Sequence, residues 1–172
     1  GHYARSKYAG ELYVQQNAQR FLICRAGWMM GAGPNKDKKF IQKMMQQIKN
    51  GAEELFVVND KLGTPTYTHD FAKNVKLLLE KELWGLYNMV CGGITGRLEV
   101  AQELVNILRL SDSVKVTSVD SSHFKKEYYA ERPPSERLID AKLNLRNVNI
   151  MRDWKVCLTE YIDKYYQGYI DS

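Results

Sequence analysis

The sequence has 172 residues, of which 44% are hydrophobic and 26% are charged. This balance is typical of a globular domain with a core, and no apolar run approaches the roughly 18 residues that a membrane-spanning helix needs. The net charge of +5 favours an anionic partner without distinguishing nucleic acid, a membrane surface and a phosphate-bearing metabolite. The first residues lack a charged stretch followed by an apolar one, so we expect no signal peptide.

The first half of the chain predicts alternating elements. In order, these are a helix over residues 3–18, a strand over 20–25, a loop over 27–36, an amphipathic helix over 37–50 and a strand over 55–58. The apolar positions of the second helix follow helical spacing: Phe40, Ile41, Met44, Met45 and Ile48. Gly51 fits the end of that helix, because a glycine commonly follows a helix C-terminus.

The second half continues the alternation. In order, we predict a turn over residues 60–63, an extended piece over 64–68, a helix over 70–81, a strand over 86–90, a helix from 95 to about 110, a strand over 114–119, irregular backbone over 132–134 and an amphipathic helix over 154–166. Thr68 is the candidate N-cap of the helix over 70–81. The apolar face of the last helix is predicted to hold Val156, Leu158, Tyr161, Ile162 and Tyr165. Together these elements predict an α/β fold.

Three cysteines, Cys24, Cys91 and Cys157, lie in apolar surroundings without a metal-binding spacing. We therefore expect buried free thiols in a reducing cytoplasm, and no metal site. The lysines over residues 36–43 have no interleaved aromatic residues, which argues against a nucleic-acid partner.

Tyr3 and Lys7 are four residues apart on the first predicted helix, so they share one face. An ammonium beside a phenol makes the phenol a stronger acid, since at about 4 Å and an effective dielectric near 20 the attraction for the phenolate is roughly 4 kcal/mol. Such a tyrosine can protonate a carbonyl oxygen while hydride reaches the carbon. The spacing alone is weak evidence, because about one such pair is expected by chance among the 11 tyrosines of this lysine-rich chain. An exposed pair without a catalytic role is the alternative.

The segment around this pair, YARSKYAGE over residues 3–11, resembles the Y-x-x-S/T-K-x-x-G/A-E signature of the extended short-chain dehydrogenases. Later blocks look closest to the dTDP-4-dehydrorhamnose reductases within that group. RAGWMMG resembles their R-x-S-W-V-Y-G, GTPTYTHDFA their G-x-P-T-Y-x-x-D-x-A, GLYN their G-I-Y-H, and RPPSERLIDAKL their R-P-x-x-S-x-L-x-x-x-K-L. Residues 151–161 resemble the last helix of these reductases. The order and spacing of the blocks extend over the whole chain.

The resemblance implies that residues 1–172 form the C-terminal part of a Rossmann-type fold together with a small substrate-binding lobe. The N-terminal part of that fold carries a glycine-rich loop that holds the cofactor pyrophosphate. No G-x-G-x-x-G follows a predicted strand in this chain. We therefore expect the cofactor-binding N-terminal part to be absent.

The resemblance also implies roles for five residues, and guanidinium chemistry suggests one for a sixth, Arg132. Tyr3 would donate the proton, and Lys7 would strengthen it as an acid and bind the nicotinamide ribose. Ala26 and Gly27 would lie beside the nicotinamide through their backbone, although the related proteins usually have serine where this chain has Gly27. Trp28 would contact the sugar nucleotide, with a core position as the alternative. Arg132 would pair with the diphosphate, since a guanidinium suits phosphate geometry, with a structural ion pair as the alternative.

The function implied by the resemblance is NADPH- or NADH-dependent reduction of a 4-keto sugar nucleotide by the full-length protein. The 172-residue chain alone should be inactive. A non-catalytic subunit of the same fold, like the regulatory subunit of methionine adenosyltransferase, is the alternative, because fold does not fix function. We expect a cytoplasmic protein that binds a sugar-nucleotide substrate and does not associate with membranes. Its expected partner is the missing N-terminal portion of the same fold. A homodimer is also compatible with this interpretation.

Overall fold

The computed structural model describes residues 1–124 and 133–170. Within these residues the helices are α1 (His2–Asn17), α2 (Phe40–Lys49), α3 (Thr68–Glu80), α4 (Arg97–Ile107), α5 (Ala141–Leu145) and α6 (Trp154–Tyr165). The strands are β1 (Leu22–Ala26), β2 (Trp28–Met30), β3 (Glu54–Val58), β4 (Pro65–Tyr67), β5 (Gly85–Met89) and β6 (Lys115–Val119). The alternation confirms the predicted α/β class.

The strands form three parallel pairs, β1 with β5, β2 with β4 and β3 with β6. Leu22 lies opposite Gly85, Trp28 opposite Pro65 and Glu54 opposite Lys115. Parallel strands need crossover connections, and the helices between the paired strands supply them. β1 lies beside β5 along its whole length, and β2 lies beside β4 along its whole length.

The larger core cluster joins α2, α4 and α6 to β3. The predicted pattern of α2 is confirmed, because Ile41, Met44, Met45 and Ile48 are buried. A second cluster packs α3 and α5 against β5 through the buried side chains of Leu78, Tyr87, Met89, Leu143, Val148 and Met151. The core therefore lies away from α1.

Helix α1 is the most exposed element, and none of its sixteen residues is buried against the described part of the chain. Its exposed apolar residues are Tyr3, Tyr8, Leu12, Tyr13 and Val14. Glu11 ties the helix to β1, because the Arg25 guanidinium donates to both oxygens of its carboxylate at 2.8 and 2.5 Å. The hydrogen bond from Arg25 lowers the pKa of Glu11.

Three local predictions are wrong. Residues 27–36 are not entirely a loop, because the Trp28 N–H donates to the Thr64 carbonyl at 3.1 Å and β2 pairs with β4. Thr68 is the first residue of α3 rather than its N-cap, and no side-chain cap bond is found at this end among the described residues. Val156 is 52% exposed although the last helix was expected to bury it, and Cys157 occupies the buried face instead.

Several smaller features agree with the sequence or add to it. Cys91 and Cys157 are buried free thiols, as expected, and Cys24 is half-buried. The short helix α5 was not predicted, since five residues are too few for a helical apolar pattern. No helix in the described residues combines the length and the apolar character that crossing a membrane requires.

Candidate functional site

Tyr3 and Lys7 lie one turn apart on an open face of α1. The Tyr3 side chain is 74% exposed, and Lys7 is exposed as well. Ser6, between them, donates from its hydroxyl to the Tyr3 carbonyl at 2.9 Å. In the described residues, neither side chain forms a hydrogen bond or an ion pair with residues 26–28. The structure thus places both residues on one exposed face of α1.

Ala26 and Gly27 lie where β1 ends, and Gly27 makes a close backbone approach to the segment leading into β4. Its N–H donates to the Thr66 hydroxyl at 2.8 Å. A Cβ atom at this position would collide with the Thr64 carbonyl oxygen, and it would stand 3.2 Å from Val90. A serine here would therefore force the backbone apart, which gives a physical reason for glycine where the related proteins usually have serine.

Trp28 is half-buried at the start of β2. Its indole N–H donates to Glu136 Oε2 at 2.7 Å. The Arg97 guanidinium lies 5.1 Å from the centre of the indole, within the range of a cation–π contact. Gly63 lies so close to the indole that a side chain at this position would collide with the ring. Trp28 is thus held by residues from three separate segments rather than enclosed in the core.

Arg132, the sixth predicted site residue, lies outside the described residues. The prolines that follow it, Pro133 and Pro134, belong to neither a helix nor a strand, in agreement with the expected irregular backbone.

A partly buried ion-pair network that the sequence does not reveal lies behind β4. Asp70 is 2% exposed, and the Arg152 guanidinium donates to both of its carboxylate oxygens at 2.8 Å. Arg152 also donates to Glu160 at 2.6 Å, and Glu160 accepts the Tyr67 hydroxyl at 3.1 Å. Cys157 completes the network by donating its thiol to Asp70 at 3.3 Å.

The network changes the acidity of its members. Burial alone would raise the pKa of Asp70, but the hydrogen bonds from Arg152 and Cys157 outweigh it and hold the pKa below its ordinary value. The two carboxylates raise the pKa of Arg152. In the sequence Asp70 stands at the start of the predicted helix over 70–81, and its partner Arg152 is 82 residues away, so no local spacing connects the two.

A second unpredicted group is Asp140, which is 6% exposed beside the end of β5. Its two oxygens accept the Val90 N–H at 3.1 and 3.2 Å. Burial raises the pKa of Asp140 to about 6, and the hydrogen bonds from Val90 and Asn149 oppose this shift only in part. Asp140 thus joins the segment before α5 to the strand end.

The comparisons with known proteins place the chain in a known family. The model of the RmlD substrate binding domain matches residues 1–167. The spore coat polysaccharide biosynthesis protein SpsK of Bacillus subtilis is 27% identical over 94% of this chain and 54% of its own length. The dTDP-4-dehydrorhamnose reductase of Shigella flexneri is 28% identical over 90% of this chain and 52% of its own length. The chain therefore spans about half the length of these relatives.

Solved structures agree. A dTDP-4-dehydrorhamnose reductase from Clostridium acetobutylicum superposes with a TM-score of 0.84 at 32% identity, covering 94% of this chain and 54% of its own. The Yersinia enterocolitica reductase gives 0.86 at 31% identity, covering 95% and 56%. The reductase of Bacillus anthracis, solved in complex with NADP, gives 0.84 at 27% identity, covering 94% and 55%. The predicted resemblance and the Rossmann-type fold are thereby confirmed, and the chain belongs to the RmlD substrate-binding domain family.

Proposed function

We propose that this chain is the substrate-side part of an NAD(P)H-dependent reductase that acts on a 4-keto sugar nucleotide such as dTDP-4-dehydrorhamnose. The observation that carries the proposal is the pairing of Tyr3 and Lys7 on one open face of α1, in a chain that belongs to the RmlD substrate-binding domain family. Relatives that match about 90% of this chain are named dTDP-4-dehydrorhamnose reductase. Membership of this family favours a catalytic role for Tyr3 and Lys7 over a surface pair without a catalytic role.

In this proposal the nicotinamide of the cofactor lies at the end of β1. There Gly27 lets the backbone pack closely against Thr64, whose carbonyl oxygen any Cβ would meet. Tyr3, Lys7, Ala26 and Gly27 are the residues that would hold the nicotinamide end. The Bacillus anthracis relative was solved in complex with NADP, which supports NADPH or NADH as the cofactor. When bound, the reduced nicotinamide supplies a hydride to the carbonyl carbon of the sugar.

In this proposal Tyr3 donates a proton from its hydroxyl to the carbonyl oxygen of the sugar. The positive charge of Lys7, one turn away, stabilises the tyrosinate that remains. Glu11 and Arg25 tie the helix that carries both side chains to β1. Trp28 and Arg132 are the proposed contacts of the sugar nucleotide.

We infer that an N-terminal portion of the same fold completes the enzyme. This chain spans about half the length of its relatives, which supports the inference. The exposed apolar residues of α1 support it as well, because an apolar helix face is normally covered by another part of the protein. That portion would carry the glycine-rich loop for the cofactor pyrophosphate. We also propose a cytoplasmic location, and a homodimer is compatible with the proposal.

The test is an activity assay on the protein that carries both portions, with dTDP-4-dehydrorhamnose as substrate and NADPH or NADH as reductant. We expect consumption of the reduced cofactor and formation of dTDP-rhamnose. Calorimetry on residues 1–172 alone should show no useful NADPH affinity, because the pyrophosphate loop is missing. Micromolar binding of NADPH to the chain alone would refute the division of the fold, and an inactive two-portion protein would favour the non-catalytic reading.

A further inference from the structure

The contact between Trp28 and Glu136 joins residues 108 positions apart. Both side chains are half-buried, so water competes with the bond only in part. The acceptor is a carboxylate, and hydrogen bonds to charged groups are shorter and stronger than those between neutral groups. At 2.7 Å, the distance from the indole nitrogen to Glu136 Oε2 lies at the short end of the usual range.

The backbone of Glu136 is itself fixed. Its N–H donates to the Leu62 carbonyl at 2.8 Å, and the Leu62 N–H donates to the Pro134 carbonyl at 2.8 Å. Leu62 therefore bonds to the backbone on both sides of Ser135, and Leu62 and Ser135 form a parallel β-bridge. The carboxylate thus approaches the indole from an anchored backbone and not from a free loop.

The next residue after Leu62 is Gly63, which packs directly against the six-membered ring of Trp28. The same two-residue segment therefore positions the Glu136 backbone and supports the indole. A side chain at position 63 would displace the ring, whereas glycine lets the backbone touch it. With Arg97 near the indole as well, the plane and the direction of the ring are both defined.

We propose that Glu136 is a positioning residue that fixes the Trp28 indole for sugar-nucleotide binding, an inference that rests on the proposed function. The R-P-x-x-S-x-L pattern of the related proteins has serine where this chain has Glu136, and the glutamate oxygens lie two bonds further from the backbone. In this chain the acceptor of the Trp28 N–H is a charged carboxylate. Without it the indole can rotate, and sugar binding must then order the ring again at an entropic cost.

The first arm of the experiment observes the indole without any substrate. Nitrogen–proton NMR of residues 1–172 gives one indole signal for each tryptophan, and the signal missing in Trp28→Phe identifies Trp28. In Glu136→Ala this signal should shift and its proton should exchange faster with water. Glu136→Gln keeps an uncharged acceptor at the same reach and should restore most of the wild-type signal. Glu53→Ala, which removes an exposed carboxylate elsewhere, should leave it unchanged.

The second arm measures dTDP-4-dehydrorhamnose kinetics of the two-portion protein. Glu136→Ala should raise KM roughly tenfold, the value of one charged hydrogen bond, with kcat within about threefold of wild type. Glu136→Gln should lie between Glu136→Ala and wild type, because it keeps an acceptor for the indole N–H but not the charge. An unchanged Trp28 signal or an unchanged KM in Glu136→Ala would overturn the inference, and so would a loss confined to kcat. A wild-type protein without turnover would refute the proposed function and the inference together, and this outcome is recognisable because the wild type itself is inactive.

Discussion

The stability of Asp140→Asn relative to wild type should be higher at neutral pH than at acidic pH. Asparagine keeps an oxygen that can accept the Val90 N–H, but it carries no charge. In the wild type, burial raises the pKa of Asp140 to about 6. A carboxyl group with an ordinary pKa near 4 in the unfolded chain is therefore harder to ionise in the folded protein.

The sign and the size follow from linkage. Between about pH 4 and pH 6 the folded state binds more protons than the unfolded state, so stability falls as the pH rises through this window. The contribution of Asp140 is complete below about pH 4 and is lost above about pH 6. A difference of about two between the two pKa values corresponds to about 3 kcal/mol. Asp140→Asn does not lose stability in this way as the pH rises, because the asparagine amide does not titrate.

The assay is urea unfolding of wild type and Asp140→Asn at several pH values from 4 to 8. The free energy of unfolding of the variant minus that of wild type should rise by about 3 kcal/mol across the window. A cost of the substitution that does not depend on pH leaves this rise unchanged. Asp163→Asn, which changes an exposed carboxylate of α6, is the matched control. A difference for Asp140→Asn that does not change with pH would refute the argument.

Two further substitutions test the ion-pair network and the close approach at the end of β1. Arg152→Met should lower the free energy of unfolding by about 3 kcal/mol, because it leaves Asp70 buried without its partner. Combining it with Asp70→Asn should recover part of the loss, and chemical denaturation of the two variants beside wild type is the measurement. Gly27→Ser should cost about 1–3 kcal/mol, because its Cβ must displace the Thr64 carbonyl, and a melting temperature equal to that of wild type would contradict the close approach.

The sequence predicts best where the physics is local. Helix α2 was predictable because four apolar residues at helical spacing can be buried only if the segment is helical and packed. Tyr3 and Lys7 share a face for the same local reason. The pairing of β2 with β4 was missed because three residues among glycines give no alternation pattern, and only the partner strand stabilises them.

Long-range partners account for the rest. Asp70 and Arg152 are each ordinary in sequence, and only folding brings the second within 2.8 Å of the first. Glu136 was not singled out, since its partner Trp28 lies more than a hundred residues earlier. The raised pKa of Asp140 depends on burial at the end of β5, which no neighbouring residue signals.

The central claim is that Tyr3 is the proton donor of a sugar-nucleotide reductase, and Tyr3→Phe in the protein that carries both portions tests it most directly. The measurement is turnover of dTDP-4-dehydrorhamnose beside the dissociation constant for NADPH, with Tyr13→Phe as a matched exposed tyrosine on the same helix. We predict that Tyr3→Phe loses turnover by about a hundredfold or more while NADPH binding is kept, and that Tyr13→Phe behaves like wild type. Turnover of Tyr3→Phe within a few-fold of wild type would contradict the account.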